Sequence, residues 1–351
     1  MPAIPKGGTV AVTGAAGFVG GWLTRLLLDQ GYRVRACVRD ADDLSRTGFL
    51  RAMPGHASGR LTLHSADLDD TGCFDSIFPG CHGVAHVSHV SDYDDADAVR
   101  AVCDHVIASV NASGTVGRVV LTSSIAAVLG EADIKELVRR PVINEDRWPD
   151  ESSAKRTPER GQGYSIGKVL AEHAFAEAAA GHGGWEAITV CPGDNLGPIL
   201  SAHQRPAGPW QGLVAKMLEG ECEQTQAYRP WMIVDVRDDA LCHLRLLENG
   251  EVRNGERYIA MSTETRDVET IVERIAELLP ELEFAPPEVV DNHPERVQAR
   301  EAELRGIWAG LDLRNTRVRA RTGVEFRPFD DSLRDTVEAL IAVAKVDPVR
   351  S

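Results

Sequence analysis

The run Thr9-Val10-Ala11-Val12-Thr13-Gly14-Ala15-Ala16-Gly17-Phe18-Val19-Gly20 constrains this chain more than any other stretch. A short β-rich segment passes straight into the glycines and then into the apolar-periodic Trp22-Leu23-Thr24-Arg25-Leu26-Leu27-Leu28, so the glycines fall between a strand and a helix. In that setting glycines permit a tight turn and a close backbone approach to a pyrophosphate, whose charge then faces the helix N-terminus. The spacing is Gly-x-x-Gly-x-x-Gly, not the Gly-x-Gly-x-x-Gly fingerprint. A dinucleotide site at this turn is the expectation.

The segments that follow alternate between strand and helix patterns. Tyr32 to Asp40 reads as a second strand, and its tip is where such a fold meets the adenosine ribose. An acid there favours a free 2′-hydroxyl and an arginine favours a 2′-phosphate. Arg39 stands at that tip, with Asp40 next and Arg46 shortly after, so the residues favour NADP(H) over NAD(H). The alternative is a solvated Arg39 with Asp40 on the ribose. Leu61 to Leu68 reads as a third strand, and Asp67 at its end either lies beside adenine or caps a helix. In the fourth strand, Gly83 to Val90, His86 and His89 fall on different faces, so no shared metal is expected. The fifth, Arg118 to Ser124, ends in hydroxyls at the carboxyl edge of the sheet, where ligands bind. A serine there can donate to a substrate carbonyl or cap a turn. Trp185 to Pro198 holds a sixth strand that breaks on Pro192-Gly193.

This alternation predicts an α/β fold, a doubly wound parallel sheet of the Rossmann type. Past Pro198 the pattern loosens. Helices over Gln211–Gly220, Asp267–Leu279 and Asp330–Val343, with a returning strand over Trp231–Val236, predict a smaller C-terminal substrate-binding lobe. The expected division is 1–192 for the dinucleotide and 193–351 for the substrate, the chain crossing back to the sheet over 231–260. Ala132 to Gly163 reads as an irregular surface loop beside the cleft. Trp148, Trp210 and Trp231 fall near that cleft and suggest a substrate of moderate size and partly aromatic character.

A helix is expected to begin just after the glycine pair Gly161 and Gly163, and in it Lys168 follows Tyr164 by four positions, which puts both on one face. A phenol exchanges its proton poorly at neutral pH, but a neighbouring ammonium stabilises the phenolate and brings the group toward the working range. Taken alone, the same spacing fits a tyrosine covering apolar surface beside a solvated lysine. The net charge of −15 leaves no basic face for nucleic acid or an anionic membrane. No apolar run approaches the roughly 20 residues that span a bilayer. Met1 to Gly8 lacks the apolar core of a secretion signal, so a cytoplasmic protein is expected. The seven cysteines are scattered without metal-ligand spacing and fit reduced, buried thiols.

Together the glycine turn, Thr122-Ser123-Ser124 and Tyr164-x-x-x-Lys168 resemble the extended branch of the short-chain dehydrogenase/reductase superfamily. Arg33 to Asp40, Ser65 to Leu68, Gly80 to Val87, Val234 to Asp238 and Arg321 to Pro328 narrow the likeness to the group of dihydroflavonol reductases, cinnamoyl-CoA reductases and NADPH-dependent carbonyl or aldehyde reductases. The resemblance implies Tyr164 as proton donor, Lys168 as its cationic partner on the nicotinamide ribose, and Ser124 as the group polarising the carbonyl. It implies Gly14, Gly17, Phe18 and Val19 along the pyrophosphate, Arg39 on the 2′-phosphate, and Asp67 and Leu68 beside adenine. Val87, Ser88 and His89 would line the cofactor cleft, and Pro192, Gly193 and Asn195 would border the nicotinamide. Val128 and Leu129 stand where the dihydroflavonol reductases carry an asparagine, and His89 replaces a small hydroxyl residue. A generic carbonyl substrate therefore fits better than a flavonoid or a thioester. Two other readings remain: an NAD-dependent sugar-nucleotide epimerase or dehydratase, disfavoured by Arg39, and a non-catalytic dinucleotide sensor, which would not need the tyrosine-lysine pair. Either a monomer or a homodimer is compatible with the resemblance.

Overall fold

Strands that are apolar on both faces make the centre of the molecule. The computed structural model describes residues 4–90, 92–93, 95–130, 134–149, 163–206, 209–224, 228–291 and 300–350. Its main strands are β1 (Thr9–Thr13), β2 (Arg33–Val38), β3 (Leu61–Ser65), β4 (Gly83–His86), β5 (Arg118–Thr122), β6 (Glu186–Pro192), β7 (Asp194–Leu196), β8 (Trp231–Asp235) and β9 (Arg257–Ala260). Seven of them form one parallel sheet in the order β9-β6-β5-β4-β1-β2-β3. Every residue of β4, β6 and β9 is buried, as expected of a parallel sheet covered on both faces. Strand order reverses between β1 and β4, and a crevice at the carboxyl ends of such neighbours is the usual ligand site of an open α/β sheet.

The principal helices are α1 (Phe18–Asp29), α2 (Ala96–Ser113), α3 (Gly163–His182), α4 (Pro209–Leu218), α5 (Val236–Glu248), α6 (Val268–Leu278) and α7 (Phe329–Ala344). α1 and α5 pack together with Leu23, Leu27, Leu244 and Leu247 in one core cluster, while α2 and α3 supply Val106, Val110 and Phe175 to another. No described helix is long and apolar enough to cross a membrane.

Three expectations change. The run Trp231–Val236 does not return to the main sheet; β8 pairs in parallel with β7 and antiparallel with Thr265–Arg266 in a small separate sheet. The strand that rejoins the main sheet is β9, delivered by α5. The break after β6 explains this, because a Cβ on Gly193 would lie 2.3 Å from Met232 O, so only glycine lets the two segments pass. Next, Trp231 is buried in the core of the C-terminal lobe with Trp210 edge-on at 4.5 Å, so it packs that lobe. Finally, the described part of the segment read as a surface loop is structured: it contains the helix Ile134–Arg139 and the two-residue strand Val142–Ile143. Arg147 and Glu145 are buried there. Arg257 from β9 holds them in place, donating to Arg147 O at 2.8 Å and Glu145 O at 3.3 Å while its guanidinium lies 3.7 Å from the Trp148 ring centre. Residues 132–133 and 150–162 of that segment lie outside the described residues.

Candidate active site

One threonine fastens the two strand tips at the switch point. Thr13 Oγ1 accepts from Val87 N at 3.0 Å and Ser88 N at 3.1 Å, receives Ser88 Oγ at 2.7 Å, and lies 3.0 Å from His86 Nδ1. Burial, with the nearby charge of Lys168, pushes the His86 imidazole down to about 3, so the ring sits here neutral.

The glycine turn lies against that junction. Gly14 has φ +66°, and a Cβ on it would meet Ser88 N at 3.0 Å; one on Gly20 would fall 2.2 Å from Gly14 O. α1 therefore starts hard against the turn. Gly17 at its N-cap makes no side-chain cap bond and the first turn holds no acid, so the positive helix end carries no compensating group of its own. That is a fit for an anionic pyrophosphate. The Phe18 ring is buried in the C-terminal lobe's core with Val19 packed beside it, so these two can offer only backbone to a ligand. From the other side His203 Nε2 approaches Ala16 O at 2.8 Å, and Gln204 Nε2 donates to Ala16 O and Gly17 O at 3.1 and 3.0 Å. Sequence reading missed both, because a short 3-10 turn far along the chain carries no motif.

At the sheet's outer side Arg39 is three-quarters exposed and pairs with Asp67 Oδ2 at 3.3 Å. Asp67 also accepts from Asp69 N at 3.2 Å, and Asp40 accepts from Asp42 N at 2.9 Å. Both acids thus serve turns, and Leu68 packs on the α2 core. On the nicotinamide side of the expected site, Pro192 O accepts from Ile125 N at 2.8 Å and Gly193 N donates to Ala260 O at 3.0 Å. Asn195 Oδ1 is buried without a hydrogen-bond partner among the described residues, which leaves an acceptor for a ligand N–H.

Tyr164 and Lys168 do share one face of α3. The Lys168 ammonium is buried, lies 5.6 Å from the Tyr164 ring centre and donates to Thr122 O at 3.1 Å, whereas Tyr164 is 45% exposed and open to a ligand. Burial works against the charged lysine, yet Tyr164, Tyr93 and Glu172 outweigh it and raise Lys168 above the ordinary lysine value. Around the ammonium the cleft is lined by His86, Ser88, His89, Tyr93, Thr122 and Ser123.

The serine pair divides its labour. Ser124 Oγ accepts from Ala126 N at 3.1 Å and makes no hydrogen bond to Tyr164 or Lys168 among the described residues. Ser123 Oγ donates to Glu172, which also receives Arg257 Nε at 2.6 Å. Cys191, the thiol before Pro192, is buried beside the same carboxylate, 3.9 Å from Glu172 Oε1. Sequence reading also missed Tyr93 and the buried His243, whose Nε2 lies 2.7 Å from Thr122 Oγ1 and whose Nδ1 lies 2.8 Å from Asp239 O. Asp239 and His243 stand four apart on α5, a spacing the sequence does carry.

The family described as NAD dependent epimerase/dehydratase matches residues 10–260. Cinnamoyl-CoA reductase 2 of Medicago truncatula is 34% identical over 340 residues, 95% of this chain and 91% of that protein. Dihydroflavonol 4-reductase of Zea mays is 39% identical over 207 residues, a match that spans 57% of this chain and 56% of the maize enzyme. The crystal structure of vestitone reductase from alfalfa superposes with a TM-score of 0.68 at 25% identity, covering 95% of this chain and 98% of that one. The glycine turn on β1, the β4 tip and the α3 pair thus sit in a fold and a sequence background shared with these reductases, and the chain belongs to the NAD dependent epimerase/dehydratase family, within the extended short-chain dehydrogenase/reductase group.

Proposed function

We propose that the protein is an NADP(H)-dependent reductase that moves a hydride between the nicotinamide and a ketone, aldehyde or secondary alcohol. One observation carries the reading: a buried lysine ammonium stands beside a ligand-accessible phenol at the carboxyl edge of the sheet, next to an uncapped helix N-terminus. The cofactor supplies the hydride. Tyr164 gives its proton to the carbonyl oxygen, and Lys168 stabilises the phenolate left behind. Ser124 polarises that carbonyl; its hydroxyl accepts from Ala126 N yet keeps its own hydrogen to donate. Gly14 and Gly17 with the backbone of Phe18 and Val19 hold the pyrophosphate, and Val87, Ser88 and His89 flank the cofactor. Arg39 meets the 2′-phosphate, with Asp67 orienting the guanidinium and Leu68 against the adenine. Pro192, Gly193 and Asn195 border the nicotinamide.

The test is cofactor consumption with a panel of ketones and aldehydes. The wild-type protein should consume NADPH with some of them and NADH more slowly, and Tyr164→Phe should lose turnover while still binding NADPH. No consumption across the panel, or unchanged turnover in Tyr164→Phe, would overturn the reading.

A further inference from the structure

We propose that Tyr93 is a third member of this site, a positioning residue that shares the ammonium of Lys168 with Tyr164 and so sets the pH at which Tyr164 gives up its proton. The inference rests on the roles given to Tyr164 and Lys168 above.

The Tyr93 ring stands edge-on to that of Tyr164, 4.9 Å between centres and 76° between planes. Lys168 Nζ lies 5.2 Å from the Tyr93 ring centre and 5.6 Å from that of Tyr164, so the two rings flank one ammonium. An ammonium has three hydrogens to give and nothing to accept with. Thr122 O takes one at 3.1 Å, and the two flanking phenols compete for what is left. The seat for the ring is built into α3: a Cβ on Gly167 would lie 2.5 Å from Tyr93 Cδ1. His89 stacks on the ring at 6.4 Å and 13°. Among the described residues, the titratable groups facing Tyr93 include Lys168 and Tyr164 from α3, Cys103 from α2 and His89 after β4, and Lys168 further faces His86 and Glu172. Burial outweighs Lys168 and holds the Tyr93 phenol above its ordinary value, so Tyr93 stays neutral and acts as an acceptor.

Tyr93→Phe keeps the ring and removes the oxygen. The freed N–H then turns to Tyr164 and stabilises its phenolate. The alkaline limb of kcat for carbonyl reduction should move to lower pH by about one unit. Tyrosinate absorbance of the cofactor-free protein should show its first phenol titrating earlier by the same amount, a signal that Tyr164→Phe removes. Gly167→Ala, which pushes the Tyr93 ring off its seat, should reproduce the displacement. A packing role alone would lower stability and leave both curves in place, so superimposable curves for wild type, Tyr93→Phe and Gly167→Ala would overturn the proposal. The absorbance titration needs neither cofactor nor substrate. A shifted titration in a protein that reduces no carbonyl would therefore sink the proposed reaction while upholding Tyr93 as a tuner of Tyr164.

Discussion

Keeping His86 uncharged at the tip of β4 should make this protein acid-sensitive. The folded ring is held down to about 3, whereas an unfolded histidine titrates near about 6.5. As pH falls through that window the unfolded chain takes up a proton that the folded chain refuses. Stability is then lost by up to about 1.4 kcal/mol per unit from this residue. Urea unfolding at a series of pH values should give a shallower acid loss for His86→Gln than for wild type, and equal slopes would contradict the buried neutral ring. Arg39 makes the second residue-scale test. It is exposed, so its pair with Asp67 contributes little to folding, but a charge-assisted bond to a phosphate is worth about 2 kcal/mol. Arg39→Ala should raise KM for NADPH by about tenfold or more and leave KM for NADH unchanged. At this scale the sequence exposed what local spacing encodes. Tyr164 and Lys168 are four apart on a helix, and Arg39 ends a strand. Tyr93 and the ring of partners around Lys168 are brought together only by the fold, and which serine of Ser123-Ser124 turns inward depends on the twist of the strand end.

Elements were legible where burial writes a pattern. Parallel strands covered on both faces read as short apolar runs, so β1 to β6 and the helices α4, α6 and α7 were all visible, with strand ends overrun by a few residues. β9 was not, because four residues starting with the charged Arg257 look like a loop; that charge is paired with Glu172 of α3, far away in the sequence. β8 was visible as a strand but not its partners, since a strand carries no sign of which sheet it joins. The α1 start is the element on which cofactor binding depends. Gly20→Ala would put a methyl 2.2 Å from a backbone oxygen that cannot rotate away. It should cost about 1–3 kcal/mol in urea unfolding and abolish the fluorescence change on NADPH addition. An alanine variant that binds NADPH like wild type would show that α1 does not need to meet the turn so closely.

For the whole molecule, the meeting of several elements at the carboxyl edge of the sheet is what matters. The main sheet supplies Thr122, Ser123 and the β4 tip, α3 supplies the phenol and ammonium, and the segment after β7 clasps the glycine turn through His203 and Gln204. A sequence can show each part, but the convergence belongs to the topology. The reaction proposed for that convergence is direct hydride delivery from nicotinamide to a carbonyl carbon with a proton from Tyr164. The decisive measurement is mass spectrometry of the product formed from unlabelled ketone and NADPH deuterated at the transferring position. The alcohol should carry one deuterium on the former carbonyl carbon, and the Tyr164→Phe reaction should give none. An unlabelled alcohol, or a product isomerised with the cofactor's label retained, would contradict a reductase and point to an epimerase or dehydratase on the same scaffold.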